Sequence, residues 1–265
     1  MAIPHEPRRF RSATAFYERY RLGYPGRLIG RVADLLGLKP GDAVLDLGCG
    51  TGMLAIPFAR LGMAVTALDP EPDMLATARQ AAHAAGVDVA FQQASSYDLT
   101  PDMGPFRLVV IGRAFHWMDR TATLVMLDKI ITPDGGVALF HDAHPPVEEN
   151  GWFKVMVRVA GKFGRAEAAH VGMRAQGGHR RYEPYLFASA FTQLDGLSVT
   201  VRQNLDAEEI LGRAFSTSVC APGTLNARKE AFAAELSAAL QELSPDGKFT
   251  EVAELVALLA RRPQE

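Results

Sequence analysis

Residues 44–52, VLDLGCGTG, restrict what this chain can fold into more than any other stretch. Val44-Leu45 is an apolar start with a β-branched residue, which reads as a short buried strand. The run then breaks into glycines at alternate positions, Gly48, Gly50 and Gly52, and residues 53–60 are apolar and helix-compatible. A strand, a glycine turn and a helix start build a nucleotide-type site. The glycines let the backbone turn sharply and approach a ligand with no Cβ in the way. The helix start presents unpaired N–H groups to that ligand.

The spacing narrows the ligand. This is G-x-G-x-G, not the G-x-G-x-x-G of dinucleotide folds, and no Gly-Lys-Ser/Thr follows as a phosphate loop requires. Asp46 stands just before the first glycine, where it repels a phosphate and attracts a cationic amino-acid group. Strand, acid and triplet together resemble motif I of the class I S-adenosylmethionine-dependent methyltransferases; a plain structural turn is the alternative. The resemblance implies that Asp46, Gly48, Cys49, Gly50, Thr51 and Gly52 bind S-adenosylmethionine, with S-adenosylhomocysteine as product.

The chain has 265 residues, 48% apolar and 22% charged, an ordinary globular composition with enough length for a large core. A net charge of −2 gives no electrostatic reason to expect a nucleic-acid partner. Two cysteines, Cys49 and Cys220, indicate neither a disulfide framework nor a cysteine zinc site. Cys49, inside the turn, reads as a small space-filler. The opening MAIPHEPRRFR has no apolar stretch behind it, and no run is long enough to span a membrane, so a soluble cytoplasmic protein is expected.

Periodicity predicts helices at 10–20 and 26–36, then strand–helix alternation. Strands are expected at 43–47, 63–68, 87–92, 106–111 and 137–141. Helices are expected at 52–60, 71–85 and 119–131, and a turn at Pro133-Asp134-Gly135-Gly136. Such alternation implies a doubly wound α/β fold with a parallel sheet. Helices follow near 148–163, 184–190, 206–215 and 225–243, with a strand at 197–203. Residues 249–260 suit a helix by apolar density; the methyltransferase resemblance instead implies a final antiparallel strand paired with 197–203. The whole is expected to be a mostly parallel seven-stranded, Rossmann-like single domain of residues 1–265, with 10–36 and 148–190 forming a helical cap.

Asp69 ends the second strand, where an acid can accept both hydrogens of a ribose diol; capping of the next helix is the bland alternative. The resemblance adds Pro70 and Met74 at the adenine. Where the family has Gly-Asp-Ala, this chain has Ala94-Ser95-Ser96, so Ser95 and Ser96 stand in the adenine contact, with Tyr97 as a stacking surface. Gly112-Arg113-Ala114-Phe115-His116-Trp117 resembles a segment of the branch that includes trans-aconitate methyltransferase-like proteins. It implies Arg113 near the cofactor and His116 as candidate general base; local packing by His116 is the alternative. Tyr20-Arg21-Leu22-Gly23-Tyr24-Pro25 resembles a segment of the same branch that folds over the cofactor, placing Tyr17, Tyr20 and Arg21 at its methionine end.

His141 and His144 flank Asp142 with i, i+3 spacing, but no further ligand set accompanies them, so no metal is expected. Arg174, His179, Arg180, Arg181 and Tyr182 form a basic segment expected in the lid, either solvated or binding a substrate carboxylate or phosphate. The expected activity is methyl transfer to a small-molecule acceptor, a carboxylate being one candidate, with no nucleic-acid or membrane partner. Protein or RNA methylation, or a binding module without catalysis, are the rivals.

Overall fold

The computed structural model describes residues 13–163 and 182–263. Phe10 and the basic residues Arg174, His179, Arg180 and Arg181 lie outside that range. Strands β1 (Ala43–Leu47), β2 (Ala64–Asp69), β3 (Ala90–Gln93) and β4 (Phe106–Gly112) alternate with helices α3 (Ala55–Arg60) and α4 (Pro72–Ala85). Helix α5 (Arg120–Ile130) leads into β5 (Ile131–Ala143), and β6 (Gln193–Asp206) and β7 (Lys248–Arg261) complete one seven-stranded sheet of order β3-β2-β1-β4-β5-β7-β6. β7 pairs antiparallel with both β5 and β6, so the sheet is mixed, with one strand reversed against six parallel ones.

Side-chain alternation sorts the core into two layers. Val44, Val65, Leu108, Val110 and Phe140 pack against α2 (Gly26–Leu35), α3 and α4. Leu45, Leu47, Val109, Ile111 and Leu139 pack against α5 and α7 (Glu183–Phe187) on the other face. A third cluster sits apart from these. It joins α6 (Gly151–Phe163), α8 (Ala207–Phe215) and α10 (Lys229–Leu243) through Trp152, Met156, Ile210, Phe215, Phe232 and Leu236. Phe16 of α1 (Thr14–Tyr20) packs on the same cluster, its ring centroid 5.2 Å from that of Phe215. Helix α2 belongs to the sheet layer, and residues 207–243 supply much of the helical cluster. A one-turn helix, α9 (Pro222–Leu225), precedes α10.

Two sequence expectations change. The Pro133–Gly136 turn lies within β5, because the pairing shifts there: Ile131 faces Phe106 and Gly136 faces Leu108, leaving the intervening residues as a bulge. β6 runs 14 residues, well beyond the expected 197–203, since β7 supplies its hydrogen bonds along its whole length, while β7 exceeds the expected 249–260 by one residue at each end. The ambiguous C-terminal stretch is a strand, its burial alternating at nearly every position.

Candidate active site

At the carboxyl ends of β1, β2 and β4 the chain lines an open cavity of about 660 Å³, within the range of small-molecule sites. The glycine turn forms one wall. Gly48 has φ +76° and Gly50 φ +53°, left-handed values that a side chain strains. The N–H groups of Gly48 and Cys49 both donate to the Leu68 carbonyl, at 2.8 and 2.9 Å, which pins the turn to the end of β2.

Asp69 completes that wall. It is buried, its Oδ2 accepts from the Gly50 N–H at 2.8 Å, and its Oδ1 accepts from the Glu71 N–H at 2.9 Å. Pro70, Met74, Ser95, Ser96 and Tyr97 continue the lining. The Ser95 hydroxyl is engaged within its own turn: it donates to Asp98 Oδ2 at 2.7 Å and accepts from the Tyr97 N–H at 3.2 Å.

Asp46, Cys49, Thr51 and Gly52 do not line the cavity. Asp46 shares the β1 face of Val44, toward α3, and its Oδ2 accepts from the Ala55 N–H at the start of that helix at 2.8 Å. Burial pushes its carboxyl up to about 7, against the lowering effect of that hydrogen bond. Burial likewise pushes the Cys49 thiol well up, so it stays protonated.

The opposite wall is built from the N-terminal segment and from the residues after β4 and β5. Tyr17, Tyr20, Arg21 and Leu22 line the cavity with Arg113, His116, Trp117, His141 and Asp142. Arg113 adopts φ +55°, an uncommon conformation for a non-glycine residue. Its side chain is locked: Nε donates to Asp142 Oδ1 at 2.5 Å, Nη2 to the Leu22 carbonyl at 2.7 Å, and the guanidinium covers the Tyr24 ring at 4.6 Å. Burial raises the Asp142 carboxyl, but Arg113 and Arg21 outweigh it and hold the group far below the usual range. His116 is buried on a short 3-10 turn, 4.7 Å from the Trp117 ring.

Of the sequence-predicted residues, the structure therefore gathers Tyr20, Arg21, Gly48, Gly50, Asp69, Pro70, Met74, Ser95, Ser96, Arg113 and His116 around one cavity. Sequence reasoning missed Leu22 and Glu71 in the wall, and a buried cluster of Arg213, Glu251 and His144 at its far end. The signal for that cluster was an acid on the apolar register of β7. Among the described residues no group of three or more histidine, cysteine, aspartate or glutamate side chains suits a metal ion. No helix there is long and apolar enough to cross a membrane.

Residues 44–135, from the glycine turn through strand β4 to the β5 bulge, match the family model described as a methyltransferase domain. The chain is 30% identical over 155 residues to an uncharacterized methyltransferase of Mycobacterium tuberculosis, covering 58% of this chain and 60% of that relative. It is 36% identical over 97 residues to the ubiquinone biosynthesis O-methyltransferase of Caulobacter vibrioides, covering 36% of this chain and 38% of that one. The chain thus spans less than two thirds of the length of these curated relatives. Among solved structures it resembles a provisionally assigned type II methyltransferase of Anaeromyxobacter dehalogenans, with a TM-score of 0.65 at 19% identity over 92% of this chain and 98% of that one. The Bacillus subtilis YcgJ protein superposes with a TM-score of 0.54 at 17% identity, over 90% and 100% of the chains. At these identities the likeness is one of fold, a Rossmann-like α/β sheet.

The donor half of the cavity fits a nucleoside bearing an amino acid. Gly50 offers open backbone, since a Cβ there would meet nothing within 4 Å. The buried Asp69 provides acceptor oxygens beside it, and Met74 provides an apolar surface.

Proposed function

We propose that this protein transfers a methyl group from S-adenosylmethionine to a small-molecule acceptor. The observation that carries the reading is the shared wall: the open glycine turn and the buried Asp69 lie side by side at the carboxyl ends of β1 and β2. In this reading Gly48 and Gly50 receive the amino-acid end, with Tyr20 and Arg21 closing over it. Asp69 accepts from the ribose hydroxyls. Pro70, Met74, Ser95 and Ser96 flank the adenine.

Asp46 shapes the turn from behind through α3, and Cys49, Thr51 and Gly52 build the turn itself. Arg113 ties Leu22 to Asp142 and so holds the N-terminal segment in place as a wall. When bound, S-adenosylmethionine supplies an electrophilic methyl on sulfur. The protein's part is positioning, with water displaced where donor and acceptor fill the cavity. In this reading the cavity-lining His116 takes a proton from an acceptor that is not already ionised.

The helices of the third cluster, with α1, act as the cap over the acceptor. A small acceptor suits the cavity's volume, and the names of the quinone-pathway relatives support the same class. The expectation of a carboxylate acceptor rests on the resemblance to the trans-aconitate methyltransferase-like branch and on Arg174, Arg180 and Arg181, which lie outside the described residues. The cavity-lining Arg113 and Arg213 are already matched by Asp142 and Glu251.

Calorimetry with S-adenosylmethionine and S-adenosylhomocysteine tests the reading. Binding of both at one site is expected. Asp69→Asn, which keeps the shape of the turn, should weaken both about tenfold or more, the loss of a charge-assisted hydrogen bond. Absence of binding refutes the reading. Binding without transfer across carboxylates, phenols and amines favours a module without catalysis.

A further inference from the structure

The donor half of the cavity leaves a group of buried charges unused. Glu251 sits on the buried register of β7 between Phe249 and Ala253, and its side chain has no exposure. His144 Nε2 lies 2.7 Å from its Oε1, Arg213 Nη1 donates to that same oxygen, and Gln203 Nε2 donates to Oε2 at 2.8 Å. Burial raises the Glu251 carboxyl, and the His144 hydrogen bond and the Arg213 charge more than reverse that, so it stays ionised. Ion pairs this deep are a weak source of stability, because desolvation offsets their attraction.

Arg213 has donors to spare. Its side chain is 13% exposed, it lines the cavity, and its hydrogen bond among the described residues is Nη1 to Glu251. No hydrogen bond from Nε or Nη2 is found among the described residues, and Arg213 borders both this cavity and a smaller one beside Tyr20, Arg21 and Gln203, so these N–H groups are the donors it can offer a ligand. The wall around it is apolar and aromatic: Trp152, Phe153, Met156, Ala214 and Val219. His144 stacks on Phe153 at 4.2 Å, and the Arg213 guanidinium stands 6.0 Å from the Trp152 ring.

This end of the cavity adjoins the donor half. A Cβ at Gly212 would stand 2.4 Å from the Tyr20 ring, so Tyr20 lies against α8 one residue from Arg213. Lys154 and Arg158 also reach the wall, but both are solvent-exposed, where water and salt screen them. The inner pair is charge-balanced. An anion entering beside it meets the ionised Glu251 as well as Arg213; a neutral oxygen meets free donors at no such cost.

We propose that the acceptor is a neutral, planar, apolar molecule carrying an oxygen substituent, and that Arg213, charge-matched by Glu251, selects it by donating to that oxygen. Trp152 and Phe153 hold the ring. The inference rests on the methyl-transfer reading and names its acceptor class. Arg213 touches the acceptor; Glu251 and His144 are positioning residues that hold the guanidinium in its fork geometry.

Isothermal titration calorimetry reads occupancy directly, because it does not depend on the probes' own absorption and emission. The probes are naphthalene, naphthol and naphthoate, at neutral pH where the acid is ionised and the naphthol is not. Each is titrated into the full chain with and without S-adenosylhomocysteine. Naphthol should bind about tenfold more tightly than either of the others, a difference of about 1.4 kcal/mol. Arg213→Met combined with Glu251→Gln removes both charges and leaves no lone buried ion; it should reduce naphthol to the level of naphthalene. Arg213→Lys, which keeps the charge but not the fork, should retain only part of the advantage.

Naphthoate binding most tightly overturns the proposal. So does a naphthol advantage that survives in a double variant that still melts cooperatively, or no binding of naphthol to the wild type. Failure of S-adenosylhomocysteine to bind counts against the donor reading alone, since the ranking of the probes is also read on the unloaded protein.

Discussion

Replacing Gly48 by alanine tests the geometry of the glycine turn, and replacing Gly30 provides the contrast. At Gly48 an added Cβ would stand 2.7 Å from Ala114 Cβ and 3.4 Å from Met118 Cε, and the residue holds φ +76°. The left-handed backbone costs alanine about 1–2 kcal/mol, and forcing a methyl into a filled space about 1–3 kcal/mol more. Together these predict a loss of roughly 2–5 kcal/mol, and for a chain of this size a fall in Tm of roughly 4–20 °C. Relief of the clash moves the turn away from Ala114 and off the Leu68 carbonyl, so affinity for S-adenosylhomocysteine should fall about tenfold or more. Gly30 lies inside α2 with nothing within 4 Å of a Cβ. Alanine there gains helix propensity, about 0.5–1 kcal/mol, and should raise Tm by a few degrees with the affinity unchanged. Differential scanning fluorimetry and calorimetry on both variants decide the matter. A Gly48→Ala protein that melts with the wild type and binds equally well refutes the account of the turn.

Asp46 has a folded pKa raised to about 7 by burial, above its unfolded value of about 4. Its contribution to stability is full below about pH 4 and is lost as pH rises toward 7. Urea titrations should therefore show Asp46→Asn gaining on the wild type across that window, by at most about 1.4 kcal/mol per pH unit, and a pH-independent difference contradicts this. Asp142 has the opposite sign: its folded pKa lies far below the unfolded value, so its contribution is present above about pH 4 and fades in acid. Asp142→Asn should cost about 3–5 kcal/mol at neutral pH by leaving Arg113 without its carboxylate, and should expose the 13–25 segment to limited proteolysis. Gly212→Ala should push the Tyr20 ring off α8 and weaken S-adenosylhomocysteine binding several-fold by calorimetry; equal affinity would place Tyr20 outside the donor site.

The donor half was legible because its parts are local. Gly48, Gly50 and Asp69 come from two neighbouring βα units, and the rule that ligands sit at the carboxyl ends of parallel strands brings them together without knowledge of the rest of the fold. Alternation places Val44 and Asp46 on one face and Leu45 and Leu47 on the other. The function of Asp46 was harder to read for the same reason. Its distance in sequence from the glycines is short, but the strand turns it toward α3, and only the position of Ala55 shows which N–H it holds. Ser95 shows a different limit. Its substitution for the family's acid was visible, but the commitment of its hydroxyl to Asp98 and Tyr97 depends on a turn that no periodicity describes.

The acceptor half was hidden by topology. Arg213, Glu251 and His144 lie on α8, on β7 and just after β5, and they meet because β7 inserts antiparallel between β5 and β6. Reversal of one strand determines which end of β7 reaches the cavity: His141 pairs with Val256 and Ala143 with Glu254, so the chain beyond Ala143 runs toward Glu251. A parallel β7 would have carried Glu251 to the opposite edge of the sheet. The acid therefore could not be assigned to the site until the strand direction was known, although its place among Phe249, Ala253 and Leu255 already marked it as a buried charge in need of partners. In the proposed reading, the direction of β7 matters to the acceptor as much as VLDLGCGTG matters to the donor. Exchanging the charges of Arg213 and Glu251 would preserve the pair but turn a donor toward the ring site into an acceptor, and the preference for an oxygen-bearing neutral probe should then disappear while S-adenosylhomocysteine still binds.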